Sequence, residues 1–293
     1  MDNCQFIGSI DVANRLGEGI VWHAQTETLW WTDIHGCQLH RYHWHSRRLE
    51  TWTTPERLTA FSVITTDPIK MVVSFASGFA IYEPESQQVQ WLARPELETS
   101  GHRFNDGRTD RQGRFWSATM VEHDEGKQGS LYRLNANGCS PVLEGFAIPN
   151  ALCWNPEGTR MYHADTPTGV IQQYDFEPAN GTPSNPRVFA SVPRGEPDGA
   201  TVDAQGDLWV ALWGGSGVAR FNPHGQLQGV LDLPVSQPTC VAFGGPDMNI
   251  LFVTSATEGL TEAQKANEPL AGSVLIYQTH GRGLPEPGVT THD

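Results

Sequence analysis

Six side chains that carry an oxygen atom recur at one position of a repeated sequence pattern. Each lies five residues before a short turn that separates two apolar runs; they are Glu18, Ser62, Asn105, Asn150, Asp198 and Thr239. The residues just after them are mostly apolar, as in ALCW and ATV. Two carboxylates and two carboxamides directed at one spot are costly unless a cation pairs with them. The set therefore predicts a metal held by oxygen ligands, the alternative being a polar, water-filled channel mouth.

The ligand types narrow the choice of cation. Glutamate, asparagine and aspartate supply hard oxygens and no thiolate, which favours Ca²⁺ first and also suits Mg²⁺ or Mn²⁺. Zn²⁺ and Fe²⁺ remain open, although they more often recruit imidazole. Three protein ligands leave positions for water and substrate, so such a site could polarise a carbonyl group and lower the pKa of a bound water.

The turns show how residues so distant in sequence could meet. The tetrapeptide Asp-x-Gln-Gly begins at Asp110 and at Asp203, and looser copies begin at His23, Asp67, Asn155 and Gly244. Each turn leads into an apolar strand such as LWWTDI or LWVALW, then a glycine-containing loop and a second strand with an aromatic residue. Four short strands repeated six times, at intervals of about 44 residues, are typical of a β-propeller.

We therefore predict an all-β fold, a six-bladed β-propeller that forms one domain over residues 1–293, with the metal site at one end of the central channel. The N-terminal strand QFIGSIDV should join the last blade, because a ring needs its edges paired. A β-sandwich or an irregular barrel is the alternative, although six copies of one turn favour the propeller.

Composition limits the partners and the compartment. The net charge of −14 argues against nucleic acid or an acidic membrane as a partner. No run approaches the length of a membrane span, and the N-terminal stretch lacks the basic and apolar regions of a secretory signal. The five cysteines are scattered and form no CxxC motif. We expect a cytoplasmic monomer with free thiols.

Other patterns indicate less chemistry. The histidines of HGCQLHRYHWH fall on an outer strand of the first blade, away from the axis. The run WGGSG opens onto a strand and so lacks the helix dipole of a phosphate loop. No Gly-x-Ser-x-Gly elbow occurs, which leaves a serine hydrolase unsupported. Arg103 should overhang the channel mouth, where its donors could hold a carbonyl oxygen or hydroxyl groups; a surface salt bridge is the alternative.

The sequence resembles the senescence marker protein (regucalcin)/gluconolactonase/luciferin-regenerating enzyme family of six-bladed propellers. The matching motifs are LGEGIVWH, RFNDGRTDRQGRFWSATM, IPNALCWNPEGTRMYHADT and PDGATVDAQGDLWVALWGG, and they continue through FGGPDMNILFVTSA. They cover nearly the whole chain in order. The stretches LWVALWGG and PLAGSV are most similar to bacterial sugar lactonases, including those that act on xylono- and arabinono-lactones.

The resemblance implies a role for three members of the oxygen set. Glu18 of the LGEG motif, Asn150 of the PNA motif and Asp198 of the PDG motif would bind one divalent cation. Asp198 would also act as the general base. These assignments agree with the set found from the repeat.

The resemblance also implies substrate-binding residues. Arg103 and Asn105 of the RFNDG motif match a substrate-binding arginine and asparagine. After the Thr-Met dipeptide, some relatives place a substrate-binding acid where this chain has His123, with Glu122 beside it. Either residue could contact the ligand, or neither.

We expect divalent-metal-dependent hydrolysis of sugar-derived lactones, the aldono-1,4- or 1,5-lactones, to aldonic acids in carbohydrate catabolism. A water deprotonated by Asp198 or by the metal would attack the carbonyl carbon, while Arg103 and Asn105 orient hydroxyl groups or stabilise the oxyanion. One rival is a promiscuous metal-dependent esterase or phosphotriesterase. The other is a non-catalytic calcium-binding propeller.

Overall fold

Six sheets of four antiparallel strands surround a common axis. The computed structural model describes residues 4–122, 128–135 and 138–290. In five of the sheets the neighbouring strands are sequential in the chain, and in the sixth the first strand of the chain lies beside the last. The predicted all-β, six-bladed β-propeller is confirmed, and the sandwich and barrel alternatives are excluded.

The blades are numbered along the chain, each from its innermost strand outwards. Blade one contains β2 (Gly17–His23), β3 (Thr28–Asp33), β4 (Gln38–His43) and β5 (Leu49–Thr53). Blade two contains β6 (Leu58–Thr66), β7 (Ile69–Phe75), β8 (Gly78–Glu83) and β9 (Gln88–Ala93). Blade three contains β10 (His102–Thr109), β11 (Phe115–Val121), β12 (Gly129–Asn135) and β13 (Gly138–Phe146). Blade four contains β14 (Pro149–Trp154), β15 (Arg160–Asp165), β16 (Val170–Glu177) and β17 (Thr182–Ser191). Blade five contains β18 (Glu196–Val202), β19 (Leu208–Trp213), β20 (Gly217–Phe221) and β21 (Leu227–Asp232). Blade six contains β22 (Pro238–Gly244), β23 (Ile250–Ser255), β24 (Val274–Gln278) and, outermost, β1 (Gln5–Ile10).

The N-terminal strand closes the ring. β1 pairs antiparallel with β24, so the first residues of the chain complete the blade formed by the last. The predicted closure is confirmed. It ties both ends of the ring and pairs an edge that would otherwise be open.

Short helices occupy two connections. A 3-10 turn spans Thr166–Thr168, and α1 spans Glu262–Asn267 between β23 and β24. Thr261 and Gln264 form a capping box at the start of α1. No helix in the described ranges is long and apolar enough to cross a membrane.

Aromatic side chains fill the spaces between blades. Trp22 of blade one stacks on Phe252 of blade six, with ring centroids 5.8 Å apart. Trp116 of blade three lies equally close to Trp154 of blade four, at 5.8 Å. Burial of such large rings supplies most of the hydrophobic free energy at a blade interface.

The recurring aspartate turn fastens the end of the innermost strand. In blade five, Asp203 Oδ1 accepts hydrogen bonds from the backbone N–H groups of Gln205 and Asp207, both at 3.0 Å. Its Oδ2 accepts from the buried Trp209 Nε1 at 2.9 Å. Asp110 makes the same three bonds in blade three. One carboxylate thus satisfies the turn and the following strand together.

Replacing this carboxylate should be costly to stability. Asp203→Ala leaves three donors without their acceptor, two of them buried, so we expect the free energy of unfolding in urea to fall by about 3 kcal/mol. Asn222→Ala is the matched control, because Asn222 accepts the same two backbone bonds at 3.0 Å in an exposed turn. Its loss should be about 1 kcal/mol. Equal losses in the two variants would contradict this account.

Candidate functional site

The innermost strands depart from regular pairing where the oxygen set lies. In five of them the register shifts at the predicted position: between Glu18 and Val21, Phe104 and Gly107, Asn150 and Cys153, Pro197 and Ala200, and Pro238 and Val241. A bulge breaks the alternation of a strand and redirects its side chains. Asn105, Asn150 and Asp198 are buried near the axis, with 6–8% of their surface exposed.

Two members of the predicted set serve other purposes. Ser62 is in regular pairing with Val72. A register shift between Val63 and Thr65 lies between Ser62 and the following turn, so the five-residue spacing does not place Ser62 at the same structural position as in the other blades. Ser62 lines a deeper cavity instead. The Thr239 hydroxyl donates to the Gly17 carbonyl and so joins blade six to blade one. The predicted set of six oxygen-bearing side chains is therefore corrected to four, namely Glu18, Asn105, Asn150 and Asp198.

Two acids lie close together in the channel. The carboxyl groups of Glu18 and Asp198, from blades one and five, each change the pKa of the other. Burial in the channel, and then the charge of Asp106, raise the pKa of Glu18 to about 8. Burial and the charge of Glu18 raise the pKa of Asp198 well above its usual range. A proton or a cation must compensate such a pair.

Glycine follows both acids and sets their approach. Gly19 has φ of +57°, a left-handed conformation that favours glycine, and its N–H donates to Glu18 Oε2 at 3.0 Å. A side chain on Gly199 would collide with Cys240 of β22. The LGEG and PDG motifs therefore combine an acid with the glycine that lets its strand bend or pack closely.

Asp106 is a third acid that was not predicted from the sequence. Its Oδ2 accepts a hydrogen bond from the Leu152 N–H at 2.9 Å, and burial raises its pKa. Its charge in turn raises the pKa of both Glu18 and Asp198. The NDG sequence could have indicated this acid. The bulge leaves two consecutive residues, Asn105 and Asp106, outside regular pairing, so both side chains can serve the site.

A chain of hydrogen bonds connects the predicted substrate and metal residues. Arg103 Nη1 donates to Asn105 Oδ1 at 2.8 Å, and Asn105 Nδ2 donates to Asn150 Oδ1 at 3.1 Å. Asn150 Nδ2 donates to Thr166 Oγ1 at 2.9 Å, and that hydroxyl donates to the Pro197 carbonyl at 2.8 Å, next to Asp198. The network orients each amide, so the oxygen of Asn150 faces Asn105.

Glu122 lies between two arginines. Arg57 donates to both of its carboxylate oxygens, at 2.7 and 3.0 Å, and Arg103 Nε donates to Oε1 at 3.0 Å. Although partial burial alone would raise it, these bonds and the two positive charges lower the pKa of Glu122 to about 2. The contact of Glu122 with substrate remains a prediction. Its ion pair with Arg57 was not expected from the sequence. The other residue named there, His123, lies outside the described residues.

The donor set fits a hard divalent cation. Glu18 and Asp198 each change the pKa of the other, Asp106 raises the pKa of both, and Asn150 contributes an oriented amide oxygen. In the described ranges, no three His, Cys, Asp or Glu residues form a group that could hold a metal ion. The histidines of blade one do not converge either: His43 contacts Glu50, and His40 stacks on Trp31.

Comparison with known families matches residues 16–257 to the SMP-30/Gluconolactonase/LRE-like region. The chain belongs to this family. An L-arabinolactonase of Azospirillum brasilense is 38% identical over 94% of this chain and 92% of its own length. A 6-deoxy-6-sulfogluconolactonase of Pseudomonas putida is 34% identical over 93% of this chain and 94% of its own.

The fold has a close counterpart among solved structures. A calcium-binding protein, regucalcin, from Agrobacterium tumefaciens superposes with a TM-score of 0.92, covering 97% of this chain and 98% of that one, at 30% identity. The family resemblance read from the motifs is confirmed.

The arginine pair around Glu122 should make stability depend on acid pH. A carboxyl group whose pKa is lowered on folding stabilises the protein above its unfolded pKa, and that contribution is lost as pH falls towards the folded value. We therefore expect Glu122→Gln to lower the free energy of unfolding by a constant amount above about pH 5. The difference from the unaltered protein should narrow as pH falls from about 4.5 towards 2.

Urea unfolding at a series of pH values measures this. Glu83→Gln is the control, because the nearest Lys70 nitrogen is 3.9 Å from the Glu83 carboxylate, and its effect should be small at every pH. A Glu122→Gln difference that stays constant down to pH 3 would contradict the assigned ion pairs.

Proposed function

We propose that this protein hydrolyses sugar-derived lactones to aldonic acids, using a divalent cation bound by Glu18, Asn150 and Asp198. The observation that carries the proposal is the position of Glu18 and Asp198 at matching register shifts of two innermost strands, where their carboxyl groups change each other's pKa and like charges need a compensating ion. Two relatives that match over most of both chains are named as sugar lactonases, which supports this substrate class.

The residues divide the reaction between them. When bound, the cation would supply Lewis-acid polarisation of the ester carbonyl and a more acidic water. Asp198 accepts a proton as the water oxygen bonds to the carbonyl carbon. The ring carbon–oxygen bond then breaks, and the proton passes from Asp198 to the departing ring oxygen. The products balance as one open-chain hydroxy acid, with no other reactant than water.

Arg103 and Asn105 are suited to orient the sugar. Burial lowers the pKa of Arg103, while the charge of Glu122 raises it again and so favours the cationic form. Bonds to Glu122, Phe104 and Asn105 hold its Nε and Nη1. Among the described residues, Nη2 is then the donor that remains for a lactone oxygen or a hydroxyl group.

Ca²⁺ is the cation we propose, because all the donors are oxygens and a structural relative is named as calcium-binding. Mg²⁺, Mn²⁺, Zn²⁺ and Fe²⁺ are the other ions to test. We further propose that the chain acts as a single-domain, cytoplasmic monomer in carbohydrate catabolism, and that Glu122 shapes the sugar pocket through Arg103 rather than alone.

Cation removal and two site variants test the reaction. After chelator treatment, we expect proton release from pentono- and hexono-lactones to fall to the buffer rate and to return with one added cation. Glu18→Gln and Asp198→Ala should each lower kcat/KM by about 100-fold or more, because each removes a charge from the cation site and Asp198→Ala also removes the base. Ser62→Ala is the control, since Ser62 is in regular strand pairing and belongs to neither the cation-binding nor the substrate-binding set, and it should change the rate by less than about twofold.

The outcome separates the rivals. Cation binding without faster opening of any lactone would refute the enzymatic proposal and favour a calcium-binding propeller. Faster hydrolysis of aryl esters than of any lactone would favour the esterase.

A further inference from the structure

The last described residues cross the end of the channel opposite to the acids. We call residues 279–290 the C-terminal strap. Its bonds reach three blades: Thr279 and Gly283 donate to Asn249 and Met248 of blade six, Arg282 accepts from Ala204 of blade five, and Thr290 donates to Gly113 of blade three. These partners lie in the turns after the innermost strands, whereas the acids lie near the strand starts. The strap therefore covers the turn end of the ring.

One acid of the strap pairs with an arginine inside the channel. Arg108 of β10 donates from Nε to the two oxygens of Glu286, at 3.1 and 3.2 Å, and from Nη2 to Oε1. The same guanidinium donates to the Ala200 carbonyl and, at 3.3 Å, to Thr201 Oγ1 of β18. Only 11% of the Arg108 side chain and 18% of the Glu286 side chain are exposed.

Both partners of this pair are charged. Burial alone would raise the pKa of Glu286, but the neighbouring Arg108 lowers it below its usual range. Burial likewise acts to lower the pKa of Arg108, and the charge of Glu286 more than reverses this. The pair is thus a compensated ion pair in a poorly solvated position, where loss of one charge leaves the other in need of a new partner.

Asp106 lines the same cavity of about 180 Å³ as this pair. The acidic and basic residues that line the cavity are His23, Asp106, Arg108 and Glu286, and Gly19, next to Glu18, also lines it. The Arg108 charge already acts on Asp106 and lowers its pKa against the effect of burial. If Glu286 carried no charge, Asp106 would be the remaining acid that lines the cavity with Arg108. The Asp106 charge already influences Glu18 and Asp198, so a guanidinium turned towards Asp106 would oppose a cation bound there.

We propose that Glu286 is a positioning residue for the cation site: it holds Arg108 at the strap end of the channel and so leaves Asp106, Glu18 and Asp198 free for the cation. This inference rests on the cation site of the proposed function. It assigns the strap a role in binding as well as in covering the ring.

Calorimetric titration of the chelator-stripped full chain with Ca²⁺ tests the inference. Glu286→Gln should raise the Ca²⁺ Kd by about tenfold or more, which corresponds to about 1.4 kcal/mol. The double variant Arg108→Met/Glu286→Gln carries neither charge, and its Kd should return to within about threefold of the unaltered protein. A purely structural role of the pair predicts instead that the Ca²⁺ affinity and the Tm fall and recover together, whereas the proposed role changes the Kd of a variant that remains folded.

Thr290→Val is the matched control for the strap. It removes the hydrogen bond from the Thr290 hydroxyl to the Gln112 carbonyl and leaves the ion pair intact, so the Kd should change by less than about twofold. Circular dichroism spectra and Tm values of all variants show whether each is folded.

Two results would overturn the inference: a folded Glu286→Gln variant with an unchanged Kd, or a double variant that binds Ca²⁺ as weakly as the single one. If Glu286→Gln does not fold, the double variant decides alone, because a loss of about tenfold or more there contradicts the proposed role. Absence of Ca²⁺ binding by the unaltered protein would refute the proposed cation site and this inference together, whereas the other results concern Glu286 only.

Discussion

Pairing of β1 with β24 is the contact on which the rest of the structure depends. It closes six sheets into a ring, and only a closed ring brings side chains from every blade to one axis. Glu18 and Asp198 are 180 residues apart in the chain, and yet each carboxyl group changes the pKa of the other. No local segment could form this site, because its polar side chains come from blades one, three, four and five, which meet only around the common axis.

The two ends of the innermost strands have different tasks. At the turn end, Asp110 and Asp203 satisfy backbone and indole donors, so their carboxylates contribute to stability. At the other end, bulges release Glu18 and Asp198 from regular pairing, and their two negative charges repel each other. The hydrogen-bonded turns hold the innermost strands in place, so that the scaffold keeps together functional groups that would otherwise repel each other.

Charge balance along the channel links these ends. The acids near the axis face Arg103 on one side and, across a cavity, Arg108 on the other. Each arginine has its own carboxylate, Glu122 for Arg103 and Glu286 for Arg108. A buried guanidinium is tolerated only when it is paired, and these pairs leave the central acids available for another positive charge.

The sequence by itself determined the blades, their number, the closing strand, the shared position of Glu18, Asn105, Asn150 and Asp198, and the family. Turn residues, alternating apolar strands and recurring motifs are local signals, and a repeat copies them six times. Only the tertiary structure decided which of these oxygens meet. Register shifts excluded Ser62 and added Asp106, and a contact between blades engaged Thr239. Arg57 with Glu122 and Arg108 with Glu286 are likewise partners 65 and 178 residues apart. Bulges and distant ion pairs follow from how the blades pack around the axis, and no short stretch of sequence specifies that packing.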